Sequence, residues 1–233
     1  MKPYKTIARI TGVLFIVATF ASLISTGFLN PILSKSDYLT KMSANNNQII
    51  TGVLFLLIGA FASAAIAISM YPVLRKYNEG LAIGSVGFRI IEGMLYMVGA
   101  VGILSLLTLS QNFVKAGTPV SSYFQTQGTT LLQVRDWTTL TAVMAFYIGA
   151  MMYYWIFYKY QLIPRWLSGW GIIGVILGIV AAILVLFRVT GTMSMVDIVF
   201  NIPIGIQEMV LAVWLIVKGF SKFTIASGVT KQT

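Results

Sequence analysis

Trp166-Leu-Ser-Gly-Trp-Gly-Ile-Ile-Gly-Val-Ile-Leu-Gly-Ile-Val-Ala-Ala-Ile-Leu-Val-Leu-Phe187 contains no charged residue and is bracketed by Arg165 and Arg188. A helix crossing the hydrocarbon of a bilayer needs about 20 mostly apolar residues, and this run supplies them. Comparable charge-free runs occupy 10–34, 42–74, 93–114 and 137–158, and a sixth, 198–217, is interrupted only by Glu208. The third run extends backwards through Glu92 and Arg89 to about Leu81. The reading is an all-α polytopic transmembrane bundle in a single membrane domain. Its six spans run over about 8–29, 48–74, 81–108, 133–159, 164–187 and 198–218.

Composition agrees. Of 233 residues 58% are hydrophobic and only 9% charged, against about 25% charged in ordinary soluble domains. A water-facing surface cannot be made from so few charges. The N-terminal run, preceded by Lys2, Lys5 and Arg9, continues to Leu29 without a small-x-small cleavage pattern. It reads as a retained helix rather than a signal peptide.

Asn30-Pro31 is expected to stop the first helix, and Tyr71-Pro72 with Asn78-Glu79-Gly80 to mark the turn after the second. Pro164 suits the first turn of the fifth span, where a missing N–H costs nothing. An Asn of Asn45-Asn46-Asn47 is placed to cap the second span. Ser36–Ala44 is expected to form a short interfacial helix, and the second half of 111–132 to lead helically into the fourth span.

The 16 Lys and Arg against 6 Asp and Glu leave a net charge of +10. Ten basic residues fall on the side of Lys2, Arg75, Lys159, Arg165 and Lys218; five fall on the other, at Lys35, Lys41, Lys115, Arg135 and Arg188. The positive-inside bias then sets both termini in the cytoplasm, and the excess charge serves topology rather than nucleic acid. With no Cys and no His, thiolate, iron–sulfur, His-haem and ordinary zinc chemistry are excluded, as is a Ser-His-Asp triad. No cofactor and no metal is expected.

The informative residues are the charges inside the spans. Ser85, Arg89, Glu92 and Tyr96 recur at helical spacing on one face of the third span. Asp197, Asn201, Gly205 and Glu208 do the same on the sixth, where Pro203 is expected to kink or unwind the outer half. Stripes of Gly12, Thr19, Ser22 and Thr26, and of Thr138, Thr141, Ala145 and Gly149, are expected to turn inward. A charge at mid-bilayer costs about 2.5–3.5 kcal/mol and each strongly apolar residue returns about 0.3–0.6. The apolar residues of the third span roughly cancel Arg89 and Glu92, so these two need partners. Each supplies the other, and Glu208 is left over unless it is protonated or shares Arg89, the latter requiring the third and sixth spans to adjoin. Arg89, Glu92, Glu208, Tyr96 and Asn201 are therefore the candidate residues for binding a substrate or ion.

The aromatics 153–155, 157, 158 and 160 read as an interfacial belt, and Gly171, Gly174 and Gly178 as a close-packing face within the bundle. The recurrence of Thr-Gly-Val-Leu-Phe at 11–15 and 51–55 reads as chance.

Tyr71-Pro-Val-Leu-Arg-Lys-Tyr77, Phe88-Arg89-x-x-Glu92 and Pro164-Arg-Trp-Leu167 together resemble the bacterial multi-pass membrane proteins grouped as domain-of-unknown-function family 4386, over nearly the whole chain from Ile7 to about Gly219. The resemblance implies a bacterial inner-membrane protein and carries no activity with it. Two functions stay open. In one, the bundle carries or senses a small solute, ion or lipid through the Arg89, Glu92 and Glu208 cluster. In the other, it is an accessory or structural membrane protein whose buried charges only fix helix packing. A cavity reaching Glu92 or Glu208 from one side favours the first; a filled core favours the second. An intramembrane enzyme is less favoured, since no recognisable catalytic set is present.

Overall fold

The computed structural model describes residues 2–116, 121–192 and 194–221. Among them there are seven helices and no strand: α1 Lys2–Leu33, α2 Tyr38–Ala44, α3 Asn46–Leu74, α4 Glu79–Ala116, α5 Ser121–Tyr160, α6 Arg165–Leu186 and α7 Met195–Val217. All except α2 are long and apolar enough to cross a membrane. Their outward faces carry Phe20, Leu23, Phe61, Val101 and Ile173, each more than half exposed. A continuous apolar exterior of that kind suits lipid rather than water.

The six long helices close into a ring. In chain order each packs on the next, and α7 returns to α1. The start of α1 and the end of α7 therefore share a face with the α3–α4 and α5–α6 turns. The Ser221 N–H donates to the Leu162 carbonyl at 2.8 Å, and Lys76 donates to the Tyr4 hydroxyl. The closure between α1 and α7 is tight because α1 offers a glycine: a Cβ on Gly12 would lie 2.6 Å from the Ala212 carbonyl oxygen.

Several sequence-based boundaries are corrected. α1 runs through Asn30-Pro31 to Leu33, because only one backbone bond is lost at Pro31 while Ile32 and Leu33 bury themselves against α2. Asn45 makes no side-chain cap for α3; its Nδ2 instead donates to the Lys41 carbonyl at 2.8 Å, capping the end of α2 one residue before α3 begins. α2 forms where a short interfacial helix is expected, over a shorter stretch. Asp37 before it pairs with Lys41 at 3.0 Å, which holds its carboxyl below the usual range. α4 outruns its expected span, to Ala116, while α5 begins at Ser121, as the expected helical lead over the second half of 111–132 requires. Hydropathy marks where lipid ends, but a helix persists wherever packing supports it. Here Phe113 meets Phe124 at 5.9 Å and Ser110 donates to the Leu39 carbonyl of α2. Pro203 does not unwind α7, which is continuous.

At the face shared by the chain ends the ring is filled. Gly171 and Gly178 of α6 receive Tyr154 and Tyr147 of α5, ring against backbone: a Cβ would meet Tyr154 Cε1 at 2.5 Å and Tyr147 Cζ at 2.3 Å. Gly174 admits Ile204 of α7 in the same way, at 3.0 Å. The glycine face is thus used inside the bundle, as expected. Half of the supposed aromatic belt is core. Tyr153, Tyr154 and Phe157 are fully buried, whereas Trp155 and Tyr158 on the opposite side of α5 face outward. Residues i, i+1 and i+4 share a helix face, and that face points into the ring.

Gly178→Ala is expected to lower the thermal midpoint in detergent, with an overpacking cost of about 1–3 kcal/mol, because Tyr147 is also tied to Asn201 and cannot step aside. Gly102→Ala, whose Cβ meets nothing within 4 Å, is expected to be neutral or stabilising. Equal midpoints for the two variants would contradict the tyrosine-in-glycine packing.

Candidate functional site

The other half of the ring is open. A cavity of about 500 Å³ lies inside it. Asn30, Asp136, Thr192 and Asp197 surround its mouth, at the face opposite the chain ends, and Ser63, Arg89, Glu92 and Glu208 lie at its floor. At about 1.5 Å per residue, the eleven steps from Asp197 to Glu208 make it roughly 16 Å deep. Below the floor sits the Tyr153, Tyr154 and Phe157 layer, closed from α7 by Gln207. The Tyr154 hydroxyl donates to Gln207 Oε1 at 2.5 Å, and Gln207 Nε2 donates to the Leu167 carbonyl at 3.0 Å.

α4 delivers Arg89 and Glu92 because their spacing puts them one turn apart on its inner face. Arg89 Nη1 donates to Glu92 Oε2 at 3.0 Å, with the two side chains 3% and 7% exposed. The flat guanidinium also lies over the Phe146 ring of α5, 4.8 Å from its centroid, a cation–π contact that strengthens as water is removed. Ser85, one turn earlier, is wholly buried and returns its hydroxyl to the Ala82 carbonyl; it lies outside the cavity lining.

Glu208 comes from α7. The third and sixth spans do not adjoin as the shared-charge reading requires; α4 and α7 sit across the ring from each other. Glu208 faces the Arg89–Glu92 pair over the cavity rather than joining it, and no ion pair within 4.0 Å connects it to Arg89. The floor is incompletely satisfied. Arg89 Nε, Ser63 Oγ and Glu208 Oε1 are buried without a hydrogen-bond partner among the described residues, as is the Tyr153 hydroxyl beneath. Buried polar atoms are almost always paired; Ser63 lies beside Glu92 and Tyr153 beside Glu208, and the unpaired atoms are gathered around one space.

Tyr96 and Asn201 also line the cavity. Asn201 accepts from the Tyr147 hydroxyl and donates to Asp197 Oδ1 at 2.9 Å. Asp197 at the start of α7 has Ser194 as the N-cap, whose side chain accepts from the Asp197 N–H, and its charge sits where the helix dipole favours an anion. All five candidate residues thus line one cavity. The inward stripe on α1 (Thr19, Ser22, Thr26) lines it too. Of the α5 stripe, Ala145 and Gly149 turn inward as expected, but Thr141 faces outward, and Thr139, Val143 and Phe146 line the cavity. Sequence reasoning missed Ser63, a lone hydroxyl in an apolar helix, and the Arg135–Asp136 pair, joined at 3.4 Å, which reads in sequence as a topology signal only.

No cluster of three or more metal-ligating side chains occurs among the described residues. The sequence profile described as domain of unknown function (DUF4386) matches residues 10–219, and the chain belongs to that family. No curated protein and no solved structure matches it.

Tyr154→Phe is expected to cost about 1–3 kcal/mol, since Gln207 Oε1 then loses its donor in a dry site. Adding Gln207→Leu is expected to recover most of that loss. Thermal unfolding of the three variants checks this; a double variant no better than the single one would mean that this hydrogen bond does not hold the closed end.

Proposed function

We propose that this member of the family is a multi-pass protein of the bacterial inner membrane that carries or senses a small solute, with both termini in the cytoplasm. The solute enters from the outer face and rests against Arg89, Glu92 and Glu208, with Tyr96 and Asn201 on its path. The observation that carries this reading is the cavity itself. Its lining runs from the Asp197 end to the intramembrane charges, where Glu208 Oε1 and Arg89 Nε have no hydrogen-bond partner among the described residues. Charges kept only as packing glue would be paired among themselves, since an unsatisfied buried group costs about 1–3 kcal/mol or more. Intramembrane ionisable residues facing a water-filled space mark substrate or ion paths by default. The ten-to-five bias of basic residues supports the orientation, with the closed, aromatic end toward the cytoplasm. A filled floor in the folded protein would favour the accessory role instead.

The absence of native cysteine makes the test direct. Single cysteines at Lys76, Lys115, Ser22 and Ser85 are treated with a small membrane-impermeant thiol reagent in intact cells. Positions 115 and 22 are expected to react, the first on the outer surface and the second inside the cavity. Positions 76 and 85 are expected to be protected, by the membrane and by burial. Reaction at 76 but not at 115 would invert the orientation. Reaction at 115 with protection at 22 would mean that the cavity has no entrance from that face, and the solute reading would fall.

A further inference from the structure

The charges and walls of the cavity constrain what it takes. Two cations line it, Arg89 and Arg135, and each has a carboxylate of its own, Glu92 at 3.0 Å and Asp136 at 3.4 Å. A further carboxylate, Glu208, has no cation paired with it within 4.0 Å among the described residues. Asp197 is engaged by Asn201 and the start of α7. Glu208, about 16 Å deeper by helix rise, has a fully buried oxygen with no partner. The surplus charge at the bottom of the cavity is negative.

Its walls carry four aromatic rings, those of Phe15, Tyr96, Phe146 and Tyr147. Aromatic faces attract cations that have shed their water. A bare metal ion is a poor fit, because hard cations need six or more oxygens at short range and no cluster of three metal-ligating side chains occurs among the described residues. An anion would meet Glu208 with both arginines already neutralised. The space, about 500 Å³, is within the range of small-molecule pockets and far exceeds a single inorganic ion.

We propose that the cavity takes a small organic monocation, an amine or quaternary ammonium with an apolar body, held with its charge at Glu208 and its body against the aromatic walls. This rests on the solute-site reading above and adds the chemical class of the solute. The Arg89–Glu92 pair then acts as a neutral, rigid wall, and Glu208 as the counter-ion. Ser63 Oγ, buried and unpartnered at the floor, is available as a hydrogen-bond acceptor for an N–H of an amine.

The test uses the full-length protein in detergent, with trimethylphenylammonium as the cation and benzenesulfonate as an anion of similar size. Occupancy is read as protection of the Ser22→Cys variant from the thiol reagent. Trimethylphenylammonium is expected to protect saturably and benzenesulfonate not at all. Glu208→Gln in the same background is expected to weaken the cation at least tenfold, about 1.4 kcal/mol, while Glu208→Asp, which keeps the charge, retains most of it. Protection by benzenesulfonate instead, or cation binding indifferent to Glu208→Gln, would overturn the assignment of class and leave the cavity as a solute site. Protection by neither probe, with the cysteine still reactive, would likewise overturn the monocation. A Ser22→Cys side chain that never reacts would remove the underlying site reading. If Glu208→Gln does not purify, loss of protection in Tyr96→Leu decides the aromatic half of the claim, and unchanged protection there contradicts it.

Discussion

A guanidinium in the middle of a bilayer has to find a counter-charge inside the protein, and the rest of this bundle is arranged around how Arg89 finds one. Glu92 lies one turn further along the same helix, so the pair forms within α4 before any tertiary contact is needed. Taking one partner away from such a buried pair costs about 3–5 kcal/mol, because the survivor is left uncompensated. Phe146 of α5 then covers the guanidinium, which pins α4 against α5. Once Arg89 is neutralised locally, α7 is not required to approach α4. It can remain across the ring, and the space between becomes a cavity with Glu208 on its far wall.

The two ends of the ring are built differently from the same helices. Toward the chain ends, glycines of α6 admit the tyrosines of α5 to backbone contact, and Gln207 with Tyr154 satisfies the polar atoms that this closeness buries. Toward the other end, α1 lines the open space with Thr19, Ser22, Ser25 and Thr26, and α5 with Arg135, Asp136, Thr139 and Val143. Tyr147 belongs to both halves: its ring fills the notch at Gly178 and its hydroxyl holds Asn201 at the cavity wall.

The spans were legible in the sequence because hydrocarbon tolerates so few charges, and the 22 uncharged residues of 166–187 permit little else. The inward faces of α4 and α7 were legible for the same reason: Arg89, Glu92 and Glu208 cannot face lipid. What was not legible is which helices touch. Depth along a span follows from counting residues, but the ring order that sets α4 opposite α7 depends on side-chain packing, which leaves no signature in hydropathy. The aromatics of α5 show the limit plainly. Tyr153, Tyr154, Trp155, Phe157 and Tyr158 lie at one depth, as an interfacial belt would, yet their helix phase sends three of them into the core. The extension of α4 beyond the lipid is not legible because polar residues end a span without ending a helix, whereas the helical lead into α5 over the second half of 111–132 is expected and found. Pro31 was misjudged because one lost backbone bond is outweighed by the burial of Ile32 and Leu33.

The account turns on Arg89 being committed to Glu92 and only distantly coupled to Glu208. A pair of double-mutant cycles measured by thermal unfolding in detergent tests this, with Arg89→Gln combined with Glu92→Gln in one and with Glu208→Gln in the other. The account predicts a coupling of about 1.5 kcal/mol or more between Arg89 and Glu92, and less than half of that between Arg89 and Glu208. A coupling to Glu208 equal to or larger than that to Glu92 would make the three charges one packed network, and would contradict a surplus carboxylate waiting on the far side of a cavity.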